Sequence, residues 1–192
     1  MNNFSAIPTV AMTDVEHFVD AEYPAQLSLE SPAAWITTDF ARRAPLVIEH
    51  DVKIDDALYM MKKAHVKAKL VVDANNRFMG IVSASDLQSH KVLMHATNKA
   101  IHRSEVSVGD VMTDKAHLHG FAYQELQSAT IGDVLYTLQE LGEQHILLLD
   151  KTLHNLRGMI SAADIARALH IPLDITQRAY SFAEVFHVLK SA

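Results

Sequence analysis

Two short stretches set a serine three residues ahead of an aspartate, each where an apolar run gives way to a helix-forming one: Gly80-Ile81-Val82-Ser83-Ala84-Ser85-Asp86 and Gly158-Met159-Ile160-Ser161-Ala162-Ala163-Asp164. A serine that opens a helix sits among unpaired backbone N–H groups at the positive end of the macrodipole. Its hydroxyl and those amides suit an anion such as a phosphate. An aspartate one turn along the same face suits the paired hydroxyls of a ribose. The same spacing is also that of a capping box, in which the serine accepts a backbone N–H and the acid reaches back to the cap residue, and this needs no ligand. The sequence supports both readings.

The elements that position these residues come from a repeat. Asp56 to Asp73 (DALYMMKKAHVKAKLVVD) aligns with Asp133 to Asp150 (DVLYTLQELGEQHILLLD) at a constant offset of 77, matching Asp, Leu, Tyr, Leu and the closing Asp. One residue of slack in the next turn then brings Gly80–Asp86 over Gly158–Asp164. In the first copy Leu46 to Ile48 is a short apolar segment, and Ala57, Leu58, Met61 and Ala64 recur at helical spacing behind Asp55 and Asp56, acids that favour a helix N-terminus. Leu70, Val71 and Val72 form a buried strand, Ala74 to Arg77 a turn, and Phe78 to Val82 the return strand. Ser83 is expected to open a helix running through Met94 towards Ile101. The second copy repeats this with Thr130 and Asp133 as a capping pair, Ile146 to Leu149 and Arg157 to Ile160 as the hairpin, and Ser161 opening the last helix.

This order of elements, the Val-Val-Asp or Leu-Leu-Asp strand end and the doubled Gly-x-x-Ser-x-x-Asp junction resemble a tandem pair of CBS domains, a Bateman module, over roughly residues 36 to 170. The family commonly carries Pro at the entry to the buried strand, where this chain has Leu70 and Leu147, and the stretch between Val111-Met112-Thr113 and Thr130 is longer than usual. The resemblance implies an α/β (α+β) fold of two strand-helix-strand-strand-helix repeats packed about a pseudo-twofold. The expected boundaries are an acidic extension at 1–35, repeat one at 36–103, repeat two at 104–170 and an amphipathic helix at 171–192. It also implies adenosine-compound binding by Ser83 with Asp86 and by Ser161 with Asp164, and a homodimer.

The two copies differ in charge. Lys62, Lys63, His65, Lys67 and Lys69 crowd the end of the first helix and the entry to its buried strand, where the second copy offers only His145. Lys67 and Lys69 beside an anion site favour polyphosphates such as ATP or ADP over AMP. The alternative is a solvated helix end whose bases complement the C-terminal dipole. Neither His117 with His119 nor His90 with His95 matches a helical zinc spacing, and no metal site is assigned. There is no Walker A loop, dinucleotide fingerprint or Gly-x-Ser-x-Gly elbow, so no catalytic residue is assigned either.

Composition narrows the remaining classes. The 192 residues include no cysteine, 49% are hydrophobic and 21% charged, and the formal net charge is −6. Thiolate chemistry and Cys-based metal sites are excluded, and no apolar run is long enough to cross a membrane. A cytoplasmic protein is expected, because no Lys or Arg precedes Arg42 to begin a secretory signal. Residues 1 to 41 hold six acids and no Lys or Arg, leaving the rest balanced at 17 acids to 17 bases. Nucleic acid, which demands a basic stripe, is not an expected partner. Amphipathic helices are read at Ser181–Leu189 (Phe182, Val185, Phe186, Leu189) and near Thr13–Glu16. The expectation is a stand-alone, non-enzymatic regulatory module that senses an adenine nucleotide and acts on an unspecified protein partner. The alternatives are a ligand-free interaction scaffold and, remotely, a His-carboxylate metal hydrolase.

Overall fold

The run Leu70-Val71-Val72 has no polar face, as a strand covered on both sides requires. In the computed structural model, which describes residues 26–152 and 154–170, it forms the middle of the first of two sheets. Strand β2 (Val47–Glu49) runs parallel to β3 (Ala68–Val72), and β4 (Phe78–Ser83) runs antiparallel to β3. Helix α1 (Ile54–Lys63) makes the crossover that a parallel β2–β3 pair needs, and α2 (His90–Lys99) follows β4. The second sheet repeats the plan with β6 (Gly120–Ala122) parallel to β7 (His145–Asp150) and β8 (Asn155–Ser161) antiparallel to it. Here α4 (Ile131–Leu141) is the crossover and α5 (Ala162–Ala168) the following helix. No helix among the described residues is long and apolar enough to cross a membrane.

Local chemistry explains the helices. In α1, Ile54, Ala57 and Met61 are buried at helical spacing, while Asp55 and Asp56 occupy the first turn and Lys62 and Lys63 the last, each complementing the dipole at its end. In α4 the Thr130–Asp133 capping box forms as expected, and Gly142, at φ +65°, closes the helix in the left-handed conformation that glycine adopts without strain.

Each sheet is completed by chain from the other side of the molecule. β1 (Thr38–Asp39) pairs antiparallel with β8, although it precedes the first repeat's own strands. β5 (Thr113–Asp114), ahead of the second repeat's strands, pairs antiparallel with β4. The turns before them follow suit. Ala33 and Ile36 are buried in the second core with Ile131, Leu135, Leu138 and Ile160, whereas Val108 and Val111 of α3 (Val108–Val111) belong to the first core with Ile54, Met61 and Val82. The glycine of each junction is where this crossing happens. A Cβ on Gly80 would run into the Thr113 carbonyl, and one on Gly158 would stand 2.8 Å from the Thr38 carbonyl oxygen.

A third cluster joins the two sheets: Leu70 and Ile81 from the first and Leu147 from the second, with Ala68, Phe78, Leu156 and Met159 packed around them. The halves therefore share an apolar seam on the sheet faces turned away from the helices.

One expected element differs. No helix runs on from Ser83; Asp86–Gln88 is a single 3-10 turn, the backbone turns extended at Ser89, and α2 starts at His90 and ends where Ala100 takes φ 53°. Short hydroxyl side chains cause the break by bonding locally. Ser83 Oγ and Ser85 Oγ lie 2.7 Å apart, and Ser89 Oγ donates to the Asp86 carbonyl at 2.7 Å. The second copy has Ala162 and Ala163 there, and α5 runs directly from its Ser161 cap. The helices read at Thr13–Glu16 and Ser181–Leu189 lie outside the described residues.

Candidate functional site

Strand register decides which side chains share a face. Ser83 pairs with Ala68 and Ser161 with His145, and each lies two residues from a seam residue: Ile81, Leu70, Met159 and Leu147 respectively. Both serines and His145 therefore sit on the inter-sheet face at the ends of the strands, beside the apolar seam.

Each aspartate closes on its own serine. Asp86 Oδ2 accepts from the Ser83 N–H at 2.9 Å and from Ser83 Oγ at 2.5 Å, and Ser83 Oγ accepts the Asp86 N–H at 3.1 Å. Asp164 Oδ2 accepts from Ser161 Oγ at 2.6 Å, and Ser161 Oγ accepts the Asp164 N–H at 3.0 Å. The capping arrangement is thus formed in both copies. The second carboxylate oxygens differ, for Asp164 Oδ1 is held by Arg167 at 2.8 Å, while Asp86 Oδ1 has only Lys91 Nζ at 3.7 Å.

His145 links the two motifs. Burial pushes its imidazole below the ordinary value, and the carboxylates of Asp164, Asp86 and Glu143 oppose that by favouring the proton. One ring thus lies in the field of an aspartate from each repeat. Glu143 itself bonds His119 Nδ1 through Oε1 at 2.6 Å, and its buried Oε2 has no hydrogen-bond partner among the described residues. In the first copy the positions of His119 and Glu143 fall to Leu46 and Val66, both apolar. Glu143, Lys91 and Arg167 carry no expectation from the sequence, and His119 enters there only as one of a histidine pair without zinc spacing. The 77-residue offset contained a signal for Glu143, since it sets a charged residue against Val66.

The lysines are divided. Lys67 is exposed and stands just ahead of β3, where its backbone carbonyl accepts the N–H of Ala84 next to the first Ser–Asp junction. Lys69 pairs with Val82 and shares the helix-side face with Val71; its ammonium donates to the Val47 carbonyl at 3.2 Å. The structure does not bring Lys69 to the face that holds Ser83. Among the described residues no group of three or more His, Asp or Glu is arranged to hold a metal ion.

Comparison with known proteins adds a family. The CBS domain family matches residues 37–92. No curated protein matches the sequence. Among solved structures, an uncharacterized conserved protein from Pyrococcus horikoshii is similar at TM-score 0.55 and 17% identity, over 78% of this chain and all of that one. CBSX2 in complex with AMP is similar at TM-score 0.51 and 23% identity, over 72% of this chain and 95% of that one. A conserved CBS domain protein of unknown function from Thermoplasma acidophilum gives 0.50 and 16%, over 81% and 78%.

Proposed function

From the match of residues 37–92 to the CBS domain family and the shared fold, we propose that the chain is a CBS-domain regulatory module that binds an adenosyl ligand, an adenine nucleotide in the first instance, rather than an enzyme. The observation that carries this reading is that both serines end strands on the sheet faces turned towards each other, beside the shared apolar seam, where Ser161 also pairs with His145. Ser83 and Asp86 form the first site, with Lys67 at its rim. Ser161, Asp164 and His145 form the second. In each, the serine hydroxyl and neighbouring amides receive phosphate and the aspartate receives the ribose hydroxyls. CBSX2 supports the ligand class, since its solved complex holds AMP. The signal passes to a protein partner or a second copy of the chain, for which exposed Tyr59 and Tyr136, at equivalent positions of α1 and α4, offer an apolar surface.

A polyphosphate preference at the first site falls to Lys67, because Lys69 faces the other side of its sheet. One additional lysine–phosphate contact in a screened pocket is worth about tenfold in affinity, or about 1.4 kcal/mol. Titration calorimetry with AMP, ADP and ATP tests the assignment. Asp86→Ala and Asp164→Ala each remove one binding event, and Lys67→Met in an Asp164→Ala background narrows the difference between ATP and AMP.

The formed caps favour a second reading, a ligand-free interaction scaffold, because each aspartate already has its serine as a partner. Thermal denaturation separates the two. A nucleotide at 100 times its dissociation constant stabilises by about 2.7 kcal/mol, a rise of roughly 5 to 10 °C for a chain of this size. A flat response to AMP, ADP, ATP, S-adenosylmethionine and NADH leaves the scaffold standing.

A further inference from the structure

The basic cluster of the first repeat is not accounted for by the nucleotide reading, which uses only Lys67. Lys62 and Lys63 are exposed at the end of α1, His65 follows in a left-handed turn at φ 53°, and Lys67 is exposed two residues further on. Among the described residues none of these lysines pairs with a carboxylate; Lys63 instead lies 5.5 Å over the ring of Tyr59. The helix dipole accounts for two bases in the last turn of α1, but not for Lys67 beyond it. An excess of acid lies ahead of the described residues, since residues 42 to 192 balance at 17 acids to 17 bases. Residues 1 to 25 carry Asp14, Glu16, Asp20 and Glu22 and no Lys or Arg.

We propose that the acidic segment Asp14–Glu22 docks on the Lys62–Lys67 surface of its own chain. Its point of departure is fixed, because Leu27 and Leu29 pack on the second core and the Leu29 carbonyl accepts the N–H of Gly132. At no more than about 3.4 Å per residue, a chain starting there can reach roughly 15 Å by position 22 and roughly 45 Å by position 14. That spans a domain of this size, whose radius of gyration is on the order of 15 Å. Tethering places four carboxylates at an effective concentration on the order of millimolar around three ammonium groups, so a contact too weak to hold between separate molecules is populated within one. Because it is electrostatic and exposed, it weakens with salt. The docking itself does not depend on the nucleotide reading.

Zero-length carbodiimide cross-linking of the full chain at low ionic strength tests it, run on a mixture of isotope-labelled and unlabelled protein so that links within a chain are told from links between chains. The expected result is amide links from residues 14–22 to Lys62, Lys63 or Lys67 within one chain, at least threefold more frequent than links from the same acids to Lys99 or Lys151. They fall away at 0.5 M NaCl. In the variant Asp14→Asn, Glu16→Gln, Asp20→Asn, Glu22→Gln, acetylation of Lys62, Lys63 and Lys67 by an activated ester is expected to speed up about threefold, with Lys99 and Lys151 unchanged. Links spread evenly over the lysines, links only between chains, or acetylation rates that match in the two proteins would each overturn the proposal.

Discussion

Asp39 is tied to two side chains far away in the chain, Arg157 and Tyr123. Arg157 Nε stands 2.9 Å from Oδ1, Arg157 NH2 and Tyr123 OH donate to Oδ2 at 3.2 and 3.0 Å, and the guanidinium lies 4.7 Å over the Tyr123 ring. Burial works against the charged carboxylate, but the Ala41 N–H, Arg157 and Tyr123 outweigh it, so the pKa falls below the ordinary 3.8. A lowered carboxylate pKa contributes stability that is present above the unfolded value and lost as pH falls through the folded one. Asp39→Asn is therefore expected to cost about 1–2 kcal/mol at pH 7 by urea denaturation. The gap between wild type and variant should close below pH 3.8, and a gap independent of pH would contradict this account. None of this was legible in the sequence, where Asp39 and Arg157 are 118 positions apart and no local pattern joins them. The Ser–Asp junctions were legible because their partners lie three residues away. Arg167 and Glu143 were not singled out, since a lone base on a helix and a lone acid in a turn look like ordinary surface.

The repeat exposed most of the elements. Period and apolar runs placed α1, β3, β4, α4, β7 and β8, because each is held by its own sequence pattern and by neighbours close in the chain. The second helix of the first copy breaks where its apolar spacing predicts continuity, because serine hydroxyls compete with the helix for backbone groups, a contest that spacing does not record. Two substitutions check the elements. Gly158→Ala pushes a methyl group towards the Thr38 carbonyl and should cost about 1–3 kcal/mol by equilibrium denaturation, with β1 and β8 amides losing most protection in hydrogen exchange. Thr130→Ala removes the N-cap of α4 and should cost about 1 kcal/mol, while Thr130→Ser, which keeps the hydroxyl, should cost much less.

At the scale of the whole molecule, the crossing of the two linkers is what sequence spacing could not show. Two-residue strands carry no period, and β1 and β5 are placed by the partners they meet rather than by their own residues. Their packing makes a prediction about how the halves divide. Ile36 is buried with α4, β7 and β8 although it precedes β2 in the chain. Ile36→Ala should cost about 2–4 kcal/mol and loosen amide protection in the second sheet well before the first. Equal loosening of α1 and β3 would mean that the seam around Leu70 and Leu147 couples the halves into one unfolding unit.

The same crossing sets an order in time. Thr38 must wait for Met159, 121 residues later, before it can pair. During synthesis at about 5–20 residues per second, that is roughly 6 to 24 s after it is made. Through most of that interval Ala33 and Ile36 have no complete core to enter, although the first sheet already gains β5 when Thr113 and Asp114 are made. In a crowded polysome, the open edge of β8 on one chain is then a match for the β1 of its neighbour. The fold thus carries a standing route to strand-exchanged dimers, and dilution during refolding should suppress them.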